Sequence, residues 1–475
     1  MKTNWVATLS ARKFKTGTQN KLNWGLTVLI SLFLTIISCD TSGDKEIIDN
    51  QLFDVSKISD KNQSSNMVMT WNKAMQDLYT FPRGVGTPTI STAYTWSLVH
   101  LAMHDALNSI KPRYETYADI TRDKDADPDA AVAQAAYDVI MAINKIRFAP
   151  AFVPQNLTSI HTLLETSLNG IPDGNSKTRG IALGHAVAEA IMAKRANDIP
   201  HLLLISPNTP PNGTQPGEYR YVFLPPAPNG KGFAFPDFGK IEPFFMTKEN
   251  MYMPGPPYPV DSPEYALDFN EAKVYGALNS LVRTPDETEI GVFWGENSNR
   301  SWNAVARQVL ESHNLKSQNA WKTARYFAIV HGAIVDTFIS TTISKTRYYT
   351  WRPEHAINLA DIDGNLNTVA DLNWKPLLPT PPVPEYPAVL SFAGSAVGQF
   401  IYRYFGDRDH YEIHHTSGFL PGVVRSFSSI TDAVTENSLS SIYNGFHFRQ
   451  ALEVGEDLGK AYGEYVFENA LKEKD

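Results

Sequence analysis

The sequence predicts an all-α fold, a large helical bundle. Apolar residues recur at three- and four-residue spacings over most of the chain after about residue 66. Strand signals are weak throughout, and proline and glycine gather in one long stretch near residues 198–262. The composition suits such a core: of 475 residues, 43% are hydrophobic and 19% charged. A net charge of -8 with no long basic run argues against nucleic acid as a partner.

The elements follow in order. Lys13, Lys15 and Lys21 precede an apolar run over 22–37 that ends at Ser38-Cys39. A basic region, an apolar stretch and a small residue before a cut describe an export signal, here residues 1–38. Ile36-Ile37-Ser38-Cys39 resembles a bacterial lipobox, which makes Cys39 the lipidated new N-terminus. Several acyl chains anchor far more firmly than one, at about 0.8 kcal/mol per buried CH₂. The alternative is a retained N-terminal transmembrane helix, for which the run is short. Residues 39–65, polar and acidic at their start, read as a flexible tether. These features place the protein outside the cell, held to a bacterial membrane through lipid at Cys39 and facing the periplasm or the cell surface.

Residues 66–475 read as one helical domain. Helices are expected over 67–79, 89–109, 129–145, 157–168 and 176–197, the third opened by Pro128. Residues 198–262 read as a long excursion of that domain rather than a linker between two domains. Helices resume over 265–281, 288–294, 302–311, 317–345 and 390–404, and the last runs from Phe446 to Asn469. Ala393, Gly394, Ser395 and Ala396 lie together and permit close helix approach.

Four constellations can carry chemistry. Lys345 and Arg352-Pro353 have six residues between them, an aromatic segment, so two cations can converge on one oxyanion, although a pair like this is more often a solvated surface. His447 can be a nucleophile, a metal ligand or a cap. Pro384-Glu385-Tyr386-Pro387 reads as a turn feeding a helix, with no evident catalytic group. His100 and His104, with Asp105, fall on one helix face but lack a third metal ligand, which favours buried, hydrogen-bonded histidines.

Taken together, these segments resemble the vanadium-dependent haloperoxidases, which share a helical fold and an oxyanion site with type 2 phosphatidic acid phosphatases. Lys345 and Arg352-Pro353 resemble the family's first signature, Pro384-Glu385-Tyr386-Pro387 the lead-in to its second, and His447 the histidine of its third. The stretches 101–106, 130–136, 216–219 and 293–295 also resemble the bacterial branch. The resemblance covers nearly all of the chain after about residue 67. It implies a haloperoxidase-type helical bundle and an oxyanion held by Lys345 and Arg352. It also implies that His447 bonds the vanadium of vanadate, or attacks phosphorus. Vanadate is the implied cofactor, phosphate a competing anion, peroxide and halide the small partners; neither haem nor nucleotide is implied.

Where the family's second signature continues Pro-Ser-Gly-His, this chain has Pro387, Ala388, Val389 and Leu390. Where the third has an arginine six residues before the histidine, it has Ser441. A general acid or base contributes about 10²–10⁴ in rate, and Leu390 supplies none. A charged hydrogen bond contributes about 1.5–3 kcal/mol, so Ser441 lowers anion affinity by tens to hundreds of fold on an order-of-magnitude basis. Candidates for a compensating cation or proton relay are Arg347 and His355, then Arg425 and His414-His415. The expected function is a haloperoxidase-like one with impaired or altered activity. The alternatives are a non-catalytic surface lipoprotein that binds through the same fold, and a phosphohydrolase of the acid-phosphatase kind.

Overall fold

The computed structural model describes residues 67–78, 89–146, 154–224, 227–313, 319–406 and 411–474. The expected signal 1–38, the lipidation site Cys39 and the whole tether 39–65 lie outside these residues.

Local chemistry sets many of the helix starts. Thr284 accepts from Glu287 N while the Glu287 side chain accepts from Thr284 N, and Pro285 begins α7 (Pro285–Phe293). The side chains of Ser262, Asn319 and Ser429 each accept from the backbone N–H three residues on, and so cap α6 (Pro263–Tyr275), α9 (Ala320–Tyr348) and α12 (Ile430–Tyr443). α9 closes at Tyr349, whose left-handed φ of 49° turns the chain toward Arg352.

The first layer joins α1 (Met67–Leu78), α2 (Thr89–Ile110), α3 (Pro128–Ile146), α4 (Pro154–Asn169) and α5 (Asn175–Lys194). α2 packs along α9, the long central helix, whose residues are buried on almost every side. That burial explains why α9 is apolar enough to cross a bilayer yet sits in a protein core. The remaining helices are α8 (Ser298–Ser312), α10 (Pro353–Asn358), α11 (Val389–Phe405) and α13 (Arg449–Asn469). Close approach of α11 and α13 comes from a stripe of small residues on α13. A Cβ at Gly455, Gly459 or Gly463 would lie 2.5–2.6 Å from atoms of α11 or its cap, including the backbone oxygens of Ala388, Phe392 and Ala396.

The excursion wraps the bundle through a buried carboxylate. Asp336, inside α9, accepts from the backbone N–H groups of Phe244, Phe245 and Met246 at 2.6, 2.8 and 3.1 Å, and from Tyr462 Oη at 2.6 Å. An aspartate in the middle of a core helix thereby satisfies a stretch of irregular backbone that has no ladder of its own.

Several sequence expectations need correction. α6 stops at Tyr275 rather than 281, because Gly276 abuts the Gly445 backbone. α10 and α12 were not expected; one is short and the other is rich in Ser and Thr. The last helix begins at Arg449, so His447 precedes it instead of opening it. Among the described residues, four strands form two small antiparallel ladders, β1 (Val222–Phe223) with β2 (Lys231–Gly232) and β3 (Ile413–Thr416) with β4 (Val424–Phe427).

Candidate oxyanion site

Lys345 lies one turn before the end of α9, Arg352 caps α10, Glu385 sits in the turn before α11, and His447 sits between α12 and α13. Four chain segments far apart in sequence therefore meet at one buried spot. Lys345, Arg352, Glu385 and His447 are each no more than 3% exposed.

Their hydrogen bonds form a closed knot. Lys345 Nζ donates to the backbone oxygens of Pro384, Glu385 and Pro387 at 2.6, 2.6 and 2.8 Å. An ammonium has three donors, and here all three are taken. Arg352 Nε donates to Val383 O at 2.8 Å, and Nη1 to Phe446 O at 2.8 Å and His447 Nε2 at 3.0 Å. Because arginine can only donate, His447 Nε2 accepts and its proton resides on Nδ1. Nδ1 then donates to Glu385 Oε1 at 2.9 Å, which also accepts from Phe448 N at 3.0 Å. Among the described residues, Arg352 Nη2 is the guanidinium nitrogen left without a protein acceptor.

The electrostatics follow from burial. Desolvation pushes Lys345 well below the usual lysine range, with Arg352 adding to the effect. Arg352 is lowered to about 10 by desolvation against the pull of Glu385. Desolvation and the two cations hold His447 neutral. Glu385 is raised to about 7 by burial, with Lys345 and Arg352 opposing.

The replaced signature positions border this knot. Ala388 is fully buried, and its N–H donates to Ala451 O. Val389 and Leu390 are half-buried and line a cavity of about 640 Å³, as do Lys345, Arg352 and His447. The rest of that lining is mainly apolar, including Phe235, Phe338, Leu378 and Phe446. Ser441 is buried; its backbone oxygen accepts from Phe446 N and His447 N, while its hydroxyl has no partner.

The compensating candidates stand elsewhere. Arg347 is exposed, its guanidinium 5.9 Å from the Tyr348 ring centroid. His355 is half-buried on α10, its Nδ1 is unpaired, and desolvation lowers it to about 4; neither residue lines the cavity. Arg425 is spent on Asp286, Glu289 and Glu436. His414 bonds Ser426 across β3 and β4. His100 and His104 are fixed by Trp96 O and Glu115 O, and Asp105 holds the N–H groups of Tyr117 and Ala118. No group of three metal-ligating side chains occurs among the described residues.

Two features escaped the sequence reading. The sequence reads Glu385 as part of a turn, yet it fixes the tautomer of His447. A carboxylate between two prolines in an otherwise apolar run was the available signal, since a buried acid needs donors. The second is a polar cluster on the same cavity. Glu296 accepts from Arg300, Ser301 Oγ and Gly418 N, with His415 Nε2 at 3.7 Å.

A family model for the VCPO second helical-bundle domain matches residues 325–473, the stretch that carries Lys345, Arg352, Glu385 and His447. Vanadium chloroperoxidase of Curvularia inaequalis is 24% identical over an alignment of 500 positions, gaps included, spanning 83% of this chain and 80% of that protein. The structure of the first bacterial vanadium-dependent iodoperoxidase shares the fold with a TM-score of 0.68 at 22% identity, covering 86% of this chain and 98% of that one. A holo-type bacterial vanadium-dependent chloroperoxidase gives 0.63 at 17% identity, covering 81% and 92%. Over residues 325–473 the chain therefore matches the VCPO second helical-bundle domain, and its helical fold is the one seen in the solved bacterial vanadium-dependent haloperoxidases.

Proposed function

We propose that this protein is a haloperoxidase relative in which vanadate-dependent halide oxidation is disabled at the oxyanion site. The observation that carries this reading is the saturation of Lys345 and His447. The ammonium has no donor left for an oxyanion, and His447 Nε2, the atom a metal would need, already accepts from Arg352. Carbonyl oxygens and the Glu385 carboxyl surround the cations, and such neighbours repel an anion. The residues present therefore do not fit vanadate, and phosphate meets the same obstacles. A phosphohydrolase would also need a leaving-group proton, which Leu390 lacks.

The test is oxidation of iodide and bromide by the purified protein with orthovanadate and hydrogen peroxide. The expected result is no turnover above the protein-free rate; robust bromide oxidation would overturn the proposal. The quadruple variant Ala388→Ser, Val389→Gly, Leu390→His, Ser441→Arg locates the loss. Gain of iodide oxidation assigns it to those positions, and no gain assigns it to the carbonyl ring around Lys345.

The mainly apolar cavity favours a second reading, a binding module for an apolar small molecule. Leu390→Arg would place a charge in that cavity, and it is expected to abolish uptake of an environment-sensitive apolar dye that the parent binds. We also propose export and lipid anchoring through Cys39, on the sequence alone. Cys39→Ala should then move the protein out of the membrane fraction.

A further inference from the structure

Glu385 stands as a wall between two cavities. His447, which it touches, lines the first; Glu385 itself lines a second, of about 280 Å³, which His447 does not reach. Five aromatic residues face this second space: Tyr258, Tyr265, Trp351, Tyr386 and Phe448. Two of their polar tips are already used, Trp351 Nε1 on Tyr265 Oη at 3.1 Å and Tyr386 Oη on Gly255 O at 2.9 Å. What these two side chains have left to present is largely ring surface.

The charged groups in the lining are both acids, Asp268 and Glu385. Asp268 Oδ2 accepts from Gln450 N at 2.8 Å. Arg449 is the cation near it, but its guanidinium is paired with Glu271, and Glu453 adds further negative charge. Glu385 is 3% exposed, and Oε1 takes both of its hydrogen bonds. Oε2 takes no hydrogen bond among the described residues: Lys345 Nζ donates to backbone oxygens, Arg352 Nε and Nη1 donate to backbone oxygens and His447, and Arg352 Nη2 does not reach it. Burial raises Asp268 to about 6, with the Gln450 N–H and Arg449 opposing.

Ring surface on several sides and an unmatched carboxylate oxygen at the wall together match the needs of a compact, weakly hydrated cation. An inorganic cation would seek a shell of oxygens instead. We propose that the second cavity binds a small organic ammonium, its charge set against Asp268 and Glu385 and its alkyl groups against the rings. Tyr258, 38% exposed, stands at the entrance.

The test is calorimetric titration of the intact protein with choline and with its neutral isostere 3,3-dimethyl-1-butanol. Choline should bind saturably and the isostere should not. Asp268→Asn should weaken choline binding about tenfold or more. Tyr258→Leu, a change at an exposed ring, should weaken it several-fold, while Tyr258→Phe retains affinity. No saturable choline binding by the parent, equal binding of the isostere, or an unaltered affinity in Asp268→Asn would each overturn the proposal. This site does not depend on the loss of halide oxidation.

Discussion

Two polar clusters line the main cavity, and they are satisfied to different degrees. In the knot of Lys345, Arg352, Glu385 and His447, every donor of the ammonium and both ring nitrogens have partners. In the cluster around Glu296, the carboxylate is well served by Arg300, Ser301 and Gly418, but its surroundings are bare. Both nitrogens of His415 lack hydrogen bonds, as does Asn297 Nδ2. The difference teaches where charge has been kept and at what cost. Buried cations persist in the knot because backbone oxygens replace an external anion, whereas His415 is kept neutral by burial, with the ring centroids of Phe293 and Trp294 at 5.1 and 5.0 Å, and by the charge of Arg300.

Removing the centre of the knot should have the largest effect. Glu385→Ala strips the acceptor from His447 Nδ1 and Phe448 N, and leaves two buried cations without their carboxylate. The expected destabilisation in urea unfolding is about 3–5 kcal/mol. Glu296→Ala is expected to cost less, about 1–3 kcal/mol, because the Arg300 side chain is 14% exposed and keeps Thr416 O. Equal losses would break the contrast between the clusters.

Next comes His415→Phe, with an effect that depends on pH. Folded His415 stays neutral down to about 3, whereas an unfolded imidazole gains its proton near 6.5. The parent therefore loses stability as pH falls through that window, and the phenylalanine variant does not. Its advantage should grow by at most about 1.4 kcal/mol per pH unit below 6.5. At neutral pH the variant should lie within about 1 kcal/mol of the parent. A parallel acid dependence of the two proteins would show that His415 has a partner after all.

The smallest change is expected from Ser441→Ala. The hydroxyl is buried and unpaired, so its removal should shift stability by no more than about 0.5 kcal/mol. A loss well above 1 kcal/mol would reveal a donor or acceptor role for Ser441 and reopen the knot to scrutiny.

Much of this was legible in the sequence. Long periodic stretches such as 129–145 and 317–345 announced α3 and α9, because burying one face or a whole helix imposes apolar spacing. Lys345, Arg352 and His447 were found through their resemblance to known signatures, and the structure brings them together. Bonding inside the site was not legible. That Lys345 turns onto three carbonyls depends on where the backbone of 384–387 lies, and no side-chain pattern reports it. The β3–β4 hairpin was also hidden. Its strands are four residues each, and His414-His415 looked like loop chemistry although the second ring is a core residue.

Nitrogen-15 NMR of the His447 ring, recorded with and without millimolar vanadate, tests the central claim most directly. The account predicts a neutral ring protonated on Nδ1, with Nε2 accepting a hydrogen bond, and a spectrum that vanadate leaves unchanged. A vanadate-dependent shift at Nε2 would mean that Arg352 yields this position to the oxyanion, and it would contradict the closed site.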